Sequence, residues 1–186
     1  MRVLDFDNTI YDGESVLDFY LFSIKYNPRV LKYFFIVMYH TIMYKFGKTT
    51  METLEKVIRK HASGYLSSFD NIDLVTNDFW DKYMKKIKPW YTPKKDDIII
   101  TASFNITMDE LFRRLELTES LCSMFNRNTM QAEYINFSAN KPLKFREKFG
   151  NTEIDEFYTD SKFDIPMIEM SKKAYLVKKN NITQIK

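Results

Sequence analysis

The residues best placed for chemistry stand almost at the start of the chain. Asp5-Phe6-Asp7-Asn8-Thr9 follows a very short β-like run, so two carboxylates two residues apart enter one loop and could reach one site. Such a pair suits catalysis, although carboxylates at strand ends also serve as turn residues. Thr101 closes the apolar run Ile98-Ile99-Ile100. There its hydroxyl and a nearby backbone N–H, such as that of Ala102, could hold a phosphoryl oxygen; a helix cap is the alternative. Lys141 opens a helical segment in Ala139-Asn140-Lys141-Pro142, where the helix dipole disfavours a cation, and that oddity hints at function. Asp160-Ser161-Lys162-Phe163-Asp164 follows another β-like run. Asp160 could lie in a metal site with Asp164 behind it, or the two could be a helix cap and a first-turn acid.

The elements that must position these residues follow from hydrophobic period and breakers. Residues 1–5 are a very short β-like run that ends in carboxylates, and 96–101 is a short apolar run typical of strands buried on both faces of a parallel sheet. Further strands are expected over 119–125, 132–137, 157–160 and 174–177, separated by helices over 107–117, 141–149 and 166–172. Between Asp12-Gly13 and Pro89 the pattern is helical. Asn27-Pro28 interrupts it, Gly47 ends an aromatic helix, and Thr49 or Thr50 caps the next one. Alternating strands and helices imply an α/β fold, here a Rossmann-like three-layer core with a mainly parallel sheet. The expected organisation is a core of residues 1–13 and 89–186, with residues 14–88 inserted as a helical cap after the first strand. The polar residues above all fall at strand ends, where open α/β sheets bind ligands.

Composition narrows the class. At 186 residues the chain can build a sizeable core, and 45% hydrophobic with 28% charged residues is ordinary for a folded soluble domain. The net charge of +3 is spread along the chain, with no dense basic stripe of the kind nucleic acid requires. A single cysteine, Cys122, lies in an apolar run, which reads as a buried thiol in a protein of the cytoplasm. His40 and His61 are too isolated for a metal site and read as structural. Residues 33–44, YFFIVMYHTIMY, are too short to span a bilayer and fit a buried helix; an interfacial helix making weak membrane-surface contact is the second expectation. Oligomeric state is not legible in the sequence.

Taken together and in order, the four segments resemble the motifs of the haloacid dehalogenase-like superfamily: Asp5-Phe6-Asp7-Asn8-Thr9, then Thr101, then Lys141, then Asp160 with Asp164. The helical insertion between the first two motifs resembles the branch that includes phosphoserine phosphatase, some members of which act on phospholipid head-group phosphates such as phosphatidylglycerophosphate. The resemblance implies a magnesium-dependent phosphomonoesterase. Asp5 would be the nucleophile and Asp7 the general acid and then base. Mg²⁺ would be held by Asp5, the backbone carbonyl of Asp7 and Asp160, with Asp164 in support. Thr101, Ala102 and Lys141 would hold the phosphoryl oxygens. A carboxylate nucleophile needs no deprotonation at neutral pH, and a second carboxyl can serve both steps of the hydrolysis. Glu14, near where phosphoserine phosphatases carry a substrate-binding acid, and Arg59 in the cap are candidate substrate contacts. Thr159 stands where many relatives have Gly, and Thr101-Ala102-Ser103 replaces their Ser-Gly, which points away from phosphoserine toward another small phosphorylated substrate. The alternatives are a phosphatase of an amphiphilic phosphate docked through residues 31–46, and a non-catalytic binding protein that kept the fold.

Overall fold

The computed structural model describes residues 1–161 and 164–186. In chain order the elements are β1 (Arg2–Asp5), α1 (Ser15–Ser23), α2 (Leu31–Lys45), α3 (Met51–Leu66), α4 (Ile72–Tyr83), β2 (Ile98–Phe104) and α5 (Asn105–Arg114). These are followed by β3 (Glu119–Asn126), β4 (Gln131–Tyr134), α6 (Asn140–Phe149), β5 (Ile154–Thr159), α7 (Ile165–Glu169), β6 (Ser171–Lys178) and β7 (Asn181–Gln184). The seven strands form one sheet in the order β4-β3-β2-β1-β5-β6-β7. From β3 to β6 neighbouring strands are parallel, and only the two edge strands are antiparallel. This is the expected α/β fold.

Val3 and Leu4, the apolar middle of β1, are both fully buried because both faces of the strand are covered. Val3 packs with Ile98, Ile100, Phe145, Phe157 and Met167 on the side of α6 and α7. Leu4 points the other way, into a cluster with Ile99, Met108, Leu111 and Phe112. That second cluster continues without a break into the helical insertion through Phe19, Phe22, Val75, Phe79 and Trp80. Trp80 is 1% exposed, lies edge-on to Phe6 and Tyr11, and donates its indole N–H to the Thr107 carbonyl at 2.8 Å.

Local signals account for the ends of the inserted helices. Asn27 and Pro28 open a 3₁₀ turn, with the Asn27 side chain accepting from Arg29 N at 3.1 Å. Thr50 caps α3 through Thr53 N at 3.2 Å, and Asn71 caps α4 through Leu74 N at 3.0 Å. Gly47 follows α2 at φ +67°, a conformation that suits glycine.

The structure departs from the sequence-based expectation at several ends. The strand expected over 132–137 is β4, which stops at Tyr134 and runs antiparallel. The chain then leaves the sheet so that the fully buried Asn136 can donate its amide to the carbonyls of Thr101 and Leu121, at 3.1 and 2.8 Å. Helix α7 ends at Glu169, and Ser171 already belongs to β6. Strand β7 is unanticipated: all four of its residues are exposed, so no buried face marks it in the sequence.

Truncating Trp80 opens a cavity where the insertion meets the sheet. Trp80→Ala is expected to cost about 3–5 kcal/mol, read as a lowered urea midpoint; a loss under about 1 kcal/mol would contradict the shared core.

Candidate active site

The sheet order fixes the site. β1 is flanked by β2 and β5, and Asp5, its last residue, pairs in register with Ile100. Thr101 therefore lies one residue farther along the neighbouring strand, and Thr159 ends β5 on the other side. Asp5 and Thr159 end their strands, whereas β2, expected to end at Thr101, runs on to Phe104, so Thr101 lies where β2 passes the end of β1; in open α/β sheets ligands bind at this carboxyl edge. From across the crevice α6 supplies Lys141, its second residue, and Asp164 immediately precedes α7. Asp5, Thr101, Lys141 and Thr159 are buried polar residues, a costly arrangement unless each is partnered.

The partners are specific. Lys141 Nζ donates to Asp5 Oδ1 at 2.7 Å and lies 3.7 Å from Asp164 Oδ2. Thr159 Oγ1 donates to Asp164 Oδ2 at 2.8 Å, and Thr9 Oγ1 donates to Asp5 Oδ2 at 3.3 Å. Asp7 accepts from the backbone N–H of Ser15 at 2.6 Å. The hydroxyl of Ser15 lies 3.1 Å from that of Ser103, joining the start of α1 to β2. Thr101 Oγ1 accepts from Ser103 N at 3.1 Å, and Ser123 Oγ donates to the Ala102 carbonyl at 2.6 Å.

The loop between β1 and α1 is wound tightly. The Phe6 carbonyl accepts from the N–H groups of Thr9, Ile10 and Tyr11 at 3.2, 2.9 and 3.0 Å. Asn8 sits at φ +56°, a region that asparagine tolerates better than most residues. The strand-like return before β2 clamps this loop: Lys88 donates its ammonium to the Asn8 carbonyl, and the Trp90 indole donates to Thr9 O at 3.2 Å.

Charge is unevenly distributed. Burial pushes the Asp5 carboxyl up, and Asp164 and Asp160 add to the effect while Lys141 opposes it. Burial also pushes Asp7 up to about 7, against the lowering effect of its Ser15 bonds, with the charges of Asp5 and Glu14 contributing. At neutral pH Asp7 can therefore both give and take a proton. Burial disfavours the Lys141 ammonium, but Asp5 and Asp164 outweigh that and raise its pKa. The shifts of Lys141 and Asp5 point in opposite senses for an ion pair; the 2.7 Å bond is that of ammonium to carboxylate. Asp160 is raised by burial and by Asp164 and Glu14, with Lys178 and Lys141 opposing.

This donor set fits a hard divalent cation. Asp164 and Asp160 act on the charge of Asp5, Lys141 feels Asp5, Asp164 and Asp7, and Lys178 as well as Lys141 acts on Asp160. Among the described residues no three His, Cys, Asp or Glu side chains converge into a cage. Two carboxylates and a backbone carbonyl completed by water are nevertheless the kind of incomplete oxygen set that Mg²⁺ accepts.

Of the residues singled out from the sequence, Asp5, Lys141 and Asp164 form one linked cluster. Asp7 and Thr101 sit at the same end of the sheet, each held by its own bonds. Glu14 is exposed at the start of α1 and accepts from the Asn8 amide at 2.6 Å. Arg59 lies in α3 facing Glu55 at 4.0 Å and makes no ion pair with the site carboxylates among the described residues. Lys162 and Phe163 lie outside the described residues. His40 and His61 are half-buried in α2 and α3, and Cys122 is buried in β3, its thiol pushed up by burial to about 12. Sequence reading missed Thr9, Ser15, Lys88 and the positioning role of Thr159. Lys88 stands in Lys85-Lys86-Ile87-Lys88, which looks like a solvated run, yet it is 5% exposed.

No family model and no curated protein matches the chain. Among solved structures it is similar to a protein of unknown function from Bordetella pertussis Tohama I, with TM-score 0.69 and 13% identity, covering 94% of this chain and 87% of that one. It is also similar to a phosphoserine phosphohydrolase-like protein from Francisella tularensis subsp. tularensis SCHU S4, with TM-score 0.55 and 15% identity, covering 93% of this chain and 84% of that one. At these identities the likeness is one of fold: the chain shares the fold of both proteins, one of them phosphoserine phosphohydrolase-like.

Proposed function

We propose that the chain is a magnesium-dependent phosphomonoesterase working through a phosphoryl group carried on Asp5. Residues 1–13 and 89–186 would serve as its core and residues 14–88 as a helical cap. The observation that carries this reading is a pair of differently tuned carboxyls in one loop: Asp5 bonded to Lys141 at 2.7 Å, and Asp7 pushed up to about 7. A carboxylate oxygen of Asp5 bonds to phosphorus as the ester oxygen leaves, and the Asp7 carboxyl gives that oxygen its proton. Water then attacks the phosphorus of the acyl phosphate, Asp7 takes the proton back, and inorganic phosphate departs from regenerated Asp5.

Lys141, Thr101 and the N–H of Ala102 would hold the non-bridging oxygens. Asp164, fixed by Thr159, steadies Lys141. A Mg²⁺ held by Asp5, the Asp7 carbonyl and Asp160 would offset charge on the transferring group. The fold likeness to a phosphoserine phosphohydrolase-like protein supports the reaction class. Among the described residues no helix is long and apolar enough to cross a membrane.

Three measurements test this reading. Release of phosphate from p-nitrophenyl phosphate should require Mg²⁺, fall by at least about a thousandfold in Asp5→Asn, and fall ~10²–10⁴-fold in Asp7→Asn. Turnover that persists in Asp5→Asn would sink the mechanism. Mg²⁺ at a hundredfold excess over its Kd should stabilise the wild type by about 2.7 kcal/mol in thermal melts, and Asp160→Asn should lose that gain; an equal gain in the variant would remove Asp160 from the metal site. Thr159→Val should lower kcat about tenfold, consistent with loss of ~1–2 kcal/mol of positioning, with KM unchanged and recovery in Thr159→Ser. A kcat for Thr159→Val equal to the wild type would deny Thr159 a positioning role.

A further inference from the structure

Helix α2 shows an apolar stripe that the fold leaves uncovered. Its inner side is occupied: Phe34 stacks on Tyr20 at 5.4 Å, and Tyr33 packs against Tyr65 and His61 of α3. Its outer side carries Leu31, Phe35, Met38, Tyr39 and Ile42, which are 43%, 61%, 41%, 58% and 44% exposed. Their steps of four, three, one and three residues keep them on one face of the helix. Phe46, just beyond the end of α2, is 75% exposed. Isolated exposed apolar residues are ordinary, but a continuous row containing two phenylalanines marks an interaction surface.

The charge around the stripe says what kind of surface it meets. From residue 19 to residue 51 the sequence contains no Asp or Glu. Lys25, Arg29 and Lys32 near the start of α2, and Lys48 just after it, are exposed. None of the four takes part in an ion pair among the described residues. A second copy of the chain placed face to face would set these cations against their own kind, because a two-fold interface brings the same patch from both subunits. An acidic surface with an apolar interior satisfies both features at once. At fifteen residues α2 is too short to cross a bilayer, and with its inner side packed on α3 only the outer stripe is free to meet a lipid surface. Tyr39 and Tyr44 are partly exposed aromatics with a polar tip, the residues that favour the headgroup level.

We propose that the outer face of α2 docks the protein on the surface of an anionic lipid bilayer. Leu31, Phe35, Met38, Tyr39, Ile42 and Phe46 enter the headgroup region, and Lys25, Arg29, Lys32 and Lys48 meet the lipid phosphates. This docking stands independently of the phosphatase reading, since it uses none of the site residues.

Flotation with vesicles of phosphatidylcholine containing about one third phosphatidylglycerol, compared with phosphatidylcholine alone, tests it. The wild type should float with the anionic vesicles, far less with the neutral ones, and be released at about 0.5 M salt. Phe35→Ser combined with Phe46→Ser should weaken binding at least about tenfold. Lys32→Glu combined with Lys48→Glu should do the same through charge. Unchanged thermal melts will confirm that these exposed substitutions leave the fold intact. The proposal is overturned if the wild type stays unbound, if neutral and anionic vesicles bind it equally, or if either double variant floats like the wild type. A dimer in sedimentation that Phe35→Ser dissociates, with vesicles unbound, would overturn it in favour of self-association.

Discussion

The Asp5–Lys141 pair is the constraint from which most of the site follows. It places an almost fully buried carboxylate at the end of the central strand of a sheet covered on both faces, where little water reaches it. A buried charge of that kind persists only with a partner in good geometry and with its remaining lone pairs satisfied. Lys141 supplies the first and Thr9 the second. That need explains why a lysine stands at the start of α6 against the helix dipole, and why Ser138 is accepted at φ +51° in the turn just before it. It also explains the support behind the lysine: Asp164 faces it, and Thr159 holds Asp164 with a hydroxyl that glycine would lack. Lys178 as well as Lys141 offsets Asp160, so the carboxylates at this end are only partly neutralised, a setting in which a divalent cation's own charge counts.

The helical insertion is tied to this centre at both of its crossing points. The loop after β1 and the segment before β2 form bridges through Tyr11, which pairs with Asp7 on one side and Ile87 on the other. The first residue of α1, Ser15, is itself the hydrogen-bond donor to Asp7. A shift of α1 relative to the sheet is therefore felt at the Asp7 carboxyl, which burial pushes up to about 7. The aromatic cluster around Phe79 and Trp80 opposes such a shift, since it joins insertion and sheet in one continuous apolar core.

Much of the fold was legible in the sequence for a simple reason. Strands buried on both faces, such as residues 98–100, and helices bounded by Asn27-Pro28, Gly47 and Thr50 leave strong local marks. Asp5, Asp7, Thr101, Lys141, Asp160 and Asp164 stood out in the sequence through the resemblance of their order to a known motif set; of these, the structure joins Asp5, Lys141 and Asp164 by direct contacts. The exposed edge strand β7 left no such mark, and the end of β4 depended on Asn136 reaching two carbonyls of other strands, which no local pattern encodes. Ser15 acts through its backbone N–H and Lys88 through a contact with a residue eighty positions away, so neither side chain type nor spacing announces them. The aromatic row of residues 33–44 was expected chiefly as a buried helix. The structure buries one side of it and leaves the other open, a division that depends on where α3 packs.

The most direct test of the central claim is to look for the phosphoryl group on Asp5. The protein would be mixed with a phosphate ester in the presence of Mg²⁺, quenched in acid within the first turnover, and its peptides mapped by mass spectrometry. A phosphoaspartate mechanism predicts one acid-stable, alkali-labile phosphoryl adduct on the peptide containing Asp5, absent from Asp5→Asn. Turnover without an adduct, or an adduct on another residue, would contradict it.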